Sequence, residues 1–303
     1  MSKAIITGAT GMIGIALMKI LLKKDYEIIA IVRPNSKKID NIPKNNRITI
    51  IECDLSNLSS LYNKFSNCEL FFHFGWSGTM GNARDDTELQ LKNIEYTLDA
   101  VRLAKLSGCS VFIGAGSQAE YGFSDEKLSP HTPTNPITGY GIAKYSAGKL
   151  SRILCKQMNI KHGWGRILST YGPNDNENTM IMSCINSILN NTPFNTTKGD
   201  QLWDYLYCDD CAEAFYNIAT KGKDGKTYTI GSGKTMQLKK YIEIIRDLIN
   251  PNFDIGFGKI DYYPNQVMYL CADISELTKD TGFKPKTPFD EGISNIINTK
   301  LKK

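Results

Sequence analysis

The sequence has no apolar run long enough to span a membrane and no cleavable leader pattern at its start. Its first residues read MSKAIITGAT, where no long apolar core precedes the first glycine. Secretory leaders and membrane helices both require such a core. The sequence therefore predicts a cytoplasmic protein that does not insert into a membrane.

The sequence also lacks a concentrated patch of basic charge. Its 36 lysines and arginines against 31 aspartates and glutamates give a net charge of +5, and they are scattered apart from the KLKK tail at 300–303. No run combines arginines with aromatic residues or forms a basic amphipathic helix, which argues against binding to nucleic acid or a membrane surface. An apolar content of 41% and a charged content of 22% are ordinary globular values, so neither disorder nor a fibrous class is indicated.

A complete metal-binding pattern is missing as well. Cys208 and Cys211, in YCDDCAEA, have the spacing of a ligand pair, but no second pair or nearby histidine completes a zinc site. Most of the cysteines lie within apolar segments of a chain too large to need disulfides. We therefore predict reduced, buried thiols and no metal. The eight cysteines are at positions 53, 68, 109, 155, 184, 208, 211 and 271.

Short β-branched runs alternate with longer helical patterns through the first half of the chain. Apolar residues recur every three or four positions over 12–24, 84–107 and 139–158, which predicts helices there. This alternation predicts an α/β fold in which helices cover both faces of a parallel sheet and ligands bind at the carboxyl ends of the strands. The predicted strands cover 3–8, 26–32, 47–53, 69–75, 110–116 and 162–168.

The regular alternation ends after Leu168, where the polar, turn-rich segment YGPNDNENT follows. Irregular Gly, Pro and Tyr segments separate the later helices, such as the one predicted over 235–249. We therefore expect a Rossmann-type, doubly wound domain over 1–170, with 200–232 returning to it. A smaller C-terminal substrate-binding lobe is expected over 171–199 and 233–303, with the site in the cleft between them.

The first predicted strand runs directly into TGATGMIG, which places glycines at intervals of three before a helix. Glycine permits the tight turn and lets backbone N–H groups approach a pyrophosphate, and the helix N-terminus favours the negative charge. A strand before the loop and a helix after it are the context that this motif requires. The loop therefore predicts a dinucleotide site that includes Gly8, Thr10, Gly11, Met12, Ile13 and Gly14.

The residue after the second predicted strand indicates which dinucleotide binds. An acidic side chain there accepts hydrogen bonds from the ribose hydroxyls of NAD, whereas a basic one accommodates the 2′-phosphate of NADP. This strand ends IAIVRPNSKK, so Arg33, with Ser36 and Lys37 behind it, replaces the carboxylate. We expect NADP(H), with NAD(H) as the alternative. After the third strand, Asp54 and Leu55 are placed to reach the adenine, although capping a helix is a competing role for Asp54.

Tyr140 and Lys144 are four residues apart in GYGIAK, at the start of a predicted helix, where this separation puts both side chains on one face. A tyrosine is a poor base at neutral pH, but a nearby ammonium group and an oxidised nicotinamide favour its phenolate. Tyr140 can then exchange a proton with a sugar hydroxyl or ketone while hydride passes to or from the cofactor. Ser117, at the end of the fifth predicted strand, is placed to hydrogen-bond the same oxygen.

Together these motifs resemble the extended short-chain dehydrogenase/reductases of the nucleotide-sugar epimerase/dehydratase family. Seven motifs follow one another along the chain in the family order: TGATGMIG, FFHFG, LKNIEYTLDAVRLA, GSQAEYG, GYGIAK, RILSTYGP and GDQLWDYLYCDDCAEA. The resemblance implies a nucleotide-sugar substrate, a homodimer formed through helices that flank the sheet, and catalytic roles for Ser117, Tyr140 and Lys144. It also implies that Asn93 lies near the catalytic lysine, where its helix kinks around a water. For His73, we favour a buried structural role at a strand end over catalysis.

The residues after Ser117 narrow the choice of reaction. Family members that act as 4,6-dehydratases carry an Asp-Glu pair there, because elimination of water requires an acid and a base besides the tyrosine. Gln118 and Ala119 occupy those positions here, and turn geometry is expected to direct Glu120 away from Ser117, so dehydration is disfavoured. Arg33 then favours an NADPH-dependent reductase of a nucleotide-linked 4-keto-6-deoxy sugar. An NAD-dependent nucleotide-sugar 4-epimerase is the alternative, and a non-catalytic dinucleotide sensor is less favoured.

The substrate-binding positions depart from the family pattern. Trp203 replaces an arginine that contacts the substrate diphosphate in many relatives, Ser169 replaces the asparagine common after the sixth strand, and the YYPNQVM segment lacks a second arginine. The candidates for replacement contacts are Lys198, Arg166 and Gln201. The predicted substrate-binding residues are Trp76, Gln118, Ser169, Lys198 and Trp203.

Overall fold

The computed structural model of the chain describes residues 2–264 and 266–301. Its strands are β1 (Lys3–Thr7), β2 (Glu27–Val32), β3 (Ile48–Glu52), β4 (Cys68–His73), β5 (Val111–Ser117), β6 (Lys161–Ile167), β7 (Ser169–Tyr171), β8 (Phe194–Thr196), β9 (Leu202–Trp203), β10 (Tyr205–Tyr207), β11 (Lys226–Ile230), β12 (Met236–Gln237), β13 (Ile255–Phe257) and β14 (Tyr269–Leu270). Its helices are α1 (Met12–Lys23), α2 (Thr87–Leu106), α3 (Gly139–Gln157), α4 (Met180–Leu189), α5 (Cys208–Lys221), α6 (Leu238–Ile249), α7 (Ser275–Thr281) and α8 (Phe289–Leu301). In the described part of the chain, no helix has both the length and the apolar character needed to cross a membrane.

A central sheet of seven parallel strands has the order β3-β2-β1-β4-β5-β6-β11. The predicted α/β, Rossmann-type, doubly wound fold is therefore confirmed. The six predicted strands and four predicted helices occur within three residues of the expected bounds. They could be located because each carries its own hydrophobic periodicity.

The sheet is buried on both faces, which explains why its strands read as continuous apolar runs. Neighbouring residues on a strand alternate between two cores: Ile6 and Phe72 join the core that includes α1 and α5, while Ile5 and Phe71 join the core that includes α2 and α3. Full burial of one such side chain stabilises the fold by about 1.5–3 kcal/mol. The two cores therefore fix the register of each strand and the position of the loops at its end.

The strand order reverses at β1, which pairs with β2 on one side and with β4 on the other. Connections from β1 and β4 leave toward opposite faces, so a crevice opens at their carboxyl ends. The loops after β1, β2, β3 and β4 all reach this crevice. The topology thus predicts where a ligand binds.

Beyond β6 the chain forms small sheets that pair β7 with β10, β9 with β12 and β14, and β8 with β13. Between them, β11 returns to the central sheet and pairs with β6. Asp204 is fully buried at this junction and accepts hydrogen bonds from the backbone N–H groups of Ser232, Gly233 and Ala272 at 2.7–3.0 Å. Because an unpaired buried carboxylate is costly, these bonds fasten the later segments to the sheet.

Candidate active site

A groove of about 620 Å³ opens at the crevice beside β1. This volume lies within the range of pockets that hold cofactors and other small ligands. Of the residues predicted to bind the dinucleotide, the groove is lined by Gly8, Thr10, Gly11, Arg33, Ser36, Asp54 and Leu55. Three other residues of the predicted loop do not line it: Met12 and Ile13 are partly buried against the core, and Gly14 is buried in α1.

The glycine loop leaves the first turn of α1 open to an anion. Gly8 has a left-handed backbone (φ +70°), and a Cβ there would lie 2.7 Å from backbone atoms of Phe74 and Gly75. A Cβ on Gly14 would lie 2.6 Å from the carbonyl oxygen of Gly8, so α1 can approach the loop only because this position is bare. No described side chain caps the N-terminus of α1, and its first turn holds no acidic residue. These uncapped N–H groups fit the pyrophosphate of a dinucleotide.

Basic side chains occupy the end of the groove beside β2. Arg33 follows the strand directly, is exposed, and lines the groove together with Lys37 and Lys38. Asp54 also lines it, and its carboxylate accepts hydrogen bonds from the N–H group and the hydroxyl of Ser56, at 3.0 and 2.8 Å. The competing role of Asp54 as an N-cap is therefore observed at the 3-10 turn Leu55–Leu61.

The predicted catalytic side chains meet between β5 and α3. The hydroxyl of Ser117, at the end of β5, lies close enough to that of Tyr140, in the first turn of α3, to lower the pKa of the phenol. The ammonium nitrogen of Lys144 lies 5.8 Å from the centre of the Tyr140 ring and donates to the carbonyl oxygen of Ala115 at 2.8 Å. The structure thus brings Ser117, Tyr140 and Lys144 together.

The glycines on either side of Tyr140 allow backbone segments to approach it closely. A Cβ on Gly139 would lie 3.0 Å from the carbonyl oxygen of Arg84, and a Cβ on Gly141 would overlap the carbonyl oxygen of Ala119. Gly139 also donates its N–H to the carboxylate of Asp85 at 2.9 Å. The GYG sequence therefore holds the start of α3 between the turn after Ser117 and the segment before α2.

Burial perturbs both ionisable groups of this constellation. It raises the pKa of Tyr140, while the Ser117 hydrogen bond and the Arg84 charge lower it and Glu120 raises it further. Burial lowers the pKa of Lys144 to about 7, and the charge of Glu120 opposes that fall. Because this value is near neutrality, the amino group of Lys144 can be protonated or neutral under physiological conditions.

His73 has the structural role that we favoured. Its Nδ1 pairs with the Thr7 hydroxyl at 2.8 Å and its Nε2 with the Thr97 hydroxyl at 3.3 Å, inside the sheet. Burial, with the charge of Lys144, lowers its pKa to about 3. The imidazole is therefore neutral near pH 7 and links β1, β4 and α2.

Two buried amides of α2 hold the loop that follows β4. Asn93 accepts from the N–H of Ser77 and donates to its carbonyl oxygen, both at 2.9 Å, and α2 continues through Asn93 as one helix. Gln90 accepts from the indole N–H of Trp76 at 3.0 Å. The Trp76 ring lies 3.8 Å from the Lys144 ammonium nitrogen. Asn93 thus holds Ser77 and Gln90 holds Trp76, whose ring lies over the lysine, while the kink expected at Asn93 stays a prediction.

Glu120 points into the protein rather than toward a substrate. It is 1% exposed, and its Oε1 accepts from the N–H of Ser117 at 2.9 Å and from the indole N–H of Trp164 at 3.0 Å. Its Oε2 accepts from Nε of Arg166 at 2.7 Å, and Arg166 is 4% exposed. Arg166 uses its Nε in this buried pair, and its contact with a substrate diphosphate stays a prediction.

The Trp164 indole reaches Glu120 through a slot left by glycines. A Cβ on Gly114 or on Gly116 would overlap the indole, and one on Gly148 would lie 2.7 Å from it. Gly114 and Gly116 belong to β5, and Gly148 belongs to α3. The three bare positions explain how an indole fits between the strand and the helix that carry Ser117 and Tyr140.

The residues predicted to contact the substrate lie in different environments. Trp203 donates its indole N–H to the Ser169 hydroxyl at 2.8 Å and packs partly buried against Leu168 and Leu270. Gln118 is half-buried in the turn after Ser117, and Lys198 is exposed beside β8. Gln201, also a candidate for a replacement contact, is buried. Ser169 and Trp203 are thus brought together by a hydrogen bond.

All eight cysteines are buried and free, as predicted. Cys208 and Cys211 lie in the first turn of α5, where they pack in the core with α1. Among the residues described, no three His, Cys, Asp or Glu side chains form a group able to hold a metal ion. Packing accounts for the spacing of Cys208 and Cys211.

A family model described as "NAD dependent epimerase/dehydratase family" matches residues 4–231. The chain belongs to this family. The match runs from β1 past the end of β11 and so includes the glycine loop, Ser117, Tyr140 and Lys144. The resemblance inferred from the motifs is confirmed, and the protein is an enzyme of the NAD-dependent nucleotide-sugar epimerase and reductase family.

Curated relatives of this family match almost the full chain. The uncharacterized UDP-glucose epimerase YtcB of Bacillus subtilis is 26% identical, over 97% of this chain and 96% of that protein. The CDP-abequose synthase of Salmonella typhimurium and the dTDP-4-dehydro-6-deoxyglucose reductase of Escherichia coli are each 24% identical, over 97% of this chain and 96% of each relative. Epimerase and reductase names therefore both occur among similar proteins.

Solved structures of the family superpose on the whole chain. UDP-glucose 4-epimerase from Thermotoga maritima, solved with UDP-glucose, gives a TM-score of 0.88 at 20% identity and covers 99% of both chains. UDP-glucuronic acid 4-epimerase from Bacillus cereus, solved with UDP-glucuronic acid and NAD, gives 0.84 at 23% identity with the same coverage. At these identities, the likeness establishes the fold.

Proposed function

We propose that the protein is an NADPH-dependent reductase that delivers hydride to C4 of a nucleotide-linked 4-keto-6-deoxy sugar. The basic rim of the dinucleotide groove carries this proposal. Arg33, Lys37 and Lys38 line the groove where a carboxylate would favour the ribose hydroxyls of NAD. Fixed positive charge at that place favours a 2′-phosphate, and NADPH is the reducing form of the cofactor that carries one.

The residues of the site have complementary roles in this reaction. The bound dinucleotide supplies the hydride. Tyr140 donates its phenolic proton to the oxygen of the substrate carbonyl, and Ser117 hydrogen-bonds the same oxygen. Lys144, beside the tyrosine, favours the phenolate that is left. Gln118 and Ala119 provide no acid and base for a dehydration, which supports a simple carbonyl reduction.

The substrate is proposed to lie in the cleft between the sheet and a smaller lobe formed by 171–199 and 233–303. Ser169 lies just before the segment 171–199 and Trp203 just after it, and Trp76 lies against Tyr140 with the two ring centres 6.0 Å apart. Gln118 follows the catalytic serine directly. Lys198 is an exposed cation suited to the diphosphate at the outer end of the cleft.

A nucleotide-sugar 4-epimerase with NAD is the second candidate, because the similar protein from Bacillus subtilis carries an epimerase name. The reductase name of the Escherichia coli relative favours the first candidate. A non-catalytic dinucleotide sensor is disfavoured, because Ser117, Tyr140 and Lys144 are all retained and meet in space. The two enzymatic candidates differ in whether the cofactor is consumed.

The decisive experiment offers purified protein a panel of nucleotide-linked 4-keto-6-deoxy and 4-hydroxy sugars with added NADPH. A reductase consumes NADPH in equal amount with a keto sugar, which is followed by absorbance. Interconversion of 4-hydroxy sugars with no net change in cofactor, by protein that retains NAD through purification, would establish the epimerase instead. Dinucleotide binding without turnover on the whole panel would indicate the sensor.

Arg33→Ser is expected to raise the KM for NADPH by about 10-fold or more, because a charge-assisted hydrogen bond to phosphate contributes about 1.5–3 kcal/mol. The KM for NADH should change little, since NADH has no 2′-phosphate. Arg102→Ser, which removes a cation on α2 that pairs with Asp99, is the matched control. Equal effects of Arg33→Ser on both cofactors would contradict the assignment of the rim to a 2′-phosphate.

We also propose a homodimer that pairs the α2 and α3 faces of two copies. These helices pack against each other on one face of the sheet and expose Leu91, Ile142, Leu150 and Ile153, and Ile153 is 52% exposed. Covering these side chains removes apolar surface from water. Light scattering should give a dimer mass for the native chain and a lower mass for Ile153→Lys. A native monomer would refute this arrangement.

A further inference from the structure

Arg84 brings a second cation to the proposed catalytic tyrosine. It is the last residue of the 3-10 turn Gly81–Arg84, in the segment that joins β4 to α2. Its guanidinium carbon lies 4.5 Å from the centre of the Tyr140 ring. This cation is closer to the centre of that ring than the ammonium nitrogen of Lys144 is, at 5.8 Å, although the sequence motifs assign no function to Arg84.

Contacts that do not involve Tyr140 fix the position of Arg84. Its Nη1 donates to the carbonyl oxygen of Thr79 at 3.2 Å, and Gln90 donates to that of Ala83 at 2.8 Å. The next residue, Asp85, accepts from the N–H of Gly139 at 2.9 Å. Arg84 is thus held against the start of α3 before any substrate binds.

Lys144 is less well placed than Arg84 to supply a constant charge. Its ammonium nitrogen is 5.8 Å from the centre of the Tyr140 ring but 3.8 Å from the centre of the Trp76 ring. It donates to the carbonyl oxygen of Ala115 at 2.8 Å. Burial lowers the pKa of Lys144 to about 7, so the group loses its charge as the pH rises through that value. An arginine keeps its charge across the whole working range of pH.

We propose that Arg84 is a positioning residue that acts through Tyr140: its guanidinium supplies the permanent positive charge that stabilises the tyrosinate. The proposal rests on the catalytic role proposed above for Tyr140. A cation on an aromatic face is attracted more strongly once the ring carries negative charge. Lys144 adds positive charge near the ring, whereas the carboxylates of Glu120 and Asp85 oppose the effect of Arg84, and His73 is neutral near pH 7.

The test titrates Tyr140 directly, without substrate. Tyrosinate absorbance is recorded against pH for the native chain and for Arg84→Met, each minus its own Tyr140→Phe partner, which isolates this residue from the other tyrosines. We expect Arg84→Met to move the Tyr140 midpoint upward by about one pH unit, since an opposite charge at this distance shifts a pKa by about that much or more. An unchanged midpoint in a folded Arg84→Met protein would overturn the proposal.

Two further variants separate charge from packing. Arg84→Lys keeps the charge on a similar stem and should restore most of the native midpoint. If it shifts the midpoint as far as Arg84→Met does, the contribution is packing and the proposal fails. Arg102→Met removes the same charge from a distant, exposed pair with Asp99, and an equal shift there would show a general effect of net charge, which also refutes it.

Turnover provides a second readout once a substrate is found. The limb of the kcat profile that reports Tyr140 should move to higher pH in Arg84→Met and return in Arg84→Lys. A loss of activity at all pH values, with no movement of that limb, would contradict a charge effect. Because the spectroscopic titration needs no substrate, a failure of the proposed reductase reaction leaves the test of Arg84 intact.

Discussion

Replacing Tyr140 by phenylalanine is expected to lower kcat by about 10²- to 10⁴-fold, the range associated with loss of a general acid or base. The substitution removes one oxygen and keeps the ring that contacts Trp76 and Arg84. The dissociation constant of NADPH, measured by fluorescence, should therefore change little. A single-turnover measurement of NADPH oxidation with a keto sugar reports the chemical step itself.

Tyr145→Phe is the matched control, because Tyr145 lies on the same helix as Tyr140 and beside Lys149. It should retain native turnover. Full activity in Tyr140→Phe would remove the tyrosine from the mechanism, since phenylalanine has no proton to give. Loss of NADPH binding together with turnover would instead indicate that the phenolic hydroxyl is needed to bind the cofactor.

Local signals made the central fold predictable. β1, the glycine loop and α1 follow one another in the sequence, and each carries its own periodicity or turn chemistry. Because the carboxyl ends of parallel strands share one edge of a sheet, the meeting of Ser117 with Tyr140 could also be anticipated. The prediction needed only the order of the elements and the direction of the strands.

Contacts between distant parts of the chain could not be predicted in this way. The sequence predicts that 200–232 returns to the first domain, but not that β11 pairs with β6 or that Asp204 bonds backbone groups near β11 and β14. Arg84 ends a short 3-10 turn before α2, and the helical periodicity predicted from position 84 onward does not indicate that its side chain approaches Tyr140. Each of these contacts depends on how separate elements dock, which a local pattern does not encode.

For Glu120, the inward direction of the side chain could be predicted, but its partners could not. The turn after Ser117 is expected to direct Glu120 away from that residue; the side chain points inward, but its carboxylate accepts a hydrogen bond from the backbone N–H of Ser117 at 2.9 Å. Its partners Trp164 and Arg166 lie two residues apart on β6, so their side chains project to the same face of the sheet. That spacing is a weak signal, because any strand contains many such pairs.

Glu120→Ala is expected to lower the free energy of unfolding by about 3–5 kcal/mol, the usual result of removing one partner from a buried ion pair. The variant leaves Arg166 buried without a countercharge and leaves the N–H groups of Ser117 and Trp164 without their acceptor. Its Tm, measured by calorimetry, should fall by on the order of 10 °C. Loss of the Ser117 contact should also lower turnover in the protein that stays folded.

Two comparisons identify the uncompensated charge as the cause. Glu213→Ala breaks an exposed pair with Lys286 that is equally short, 2.6 Å against 2.7 Å, and should change stability by at most about 1 kcal/mol. Glu120→Leu combined with Arg166→Met replaces both charges by apolar side chains and should recover most of the lost stability. If Glu120→Ala is no more destabilising than Glu213→Ala, the buried pair is not what holds the turn after Ser117. If the double variant stays as unstable as the single one, the hydrogen bonds to Ser117 and Trp164, rather than the charge of Arg166, account for the loss.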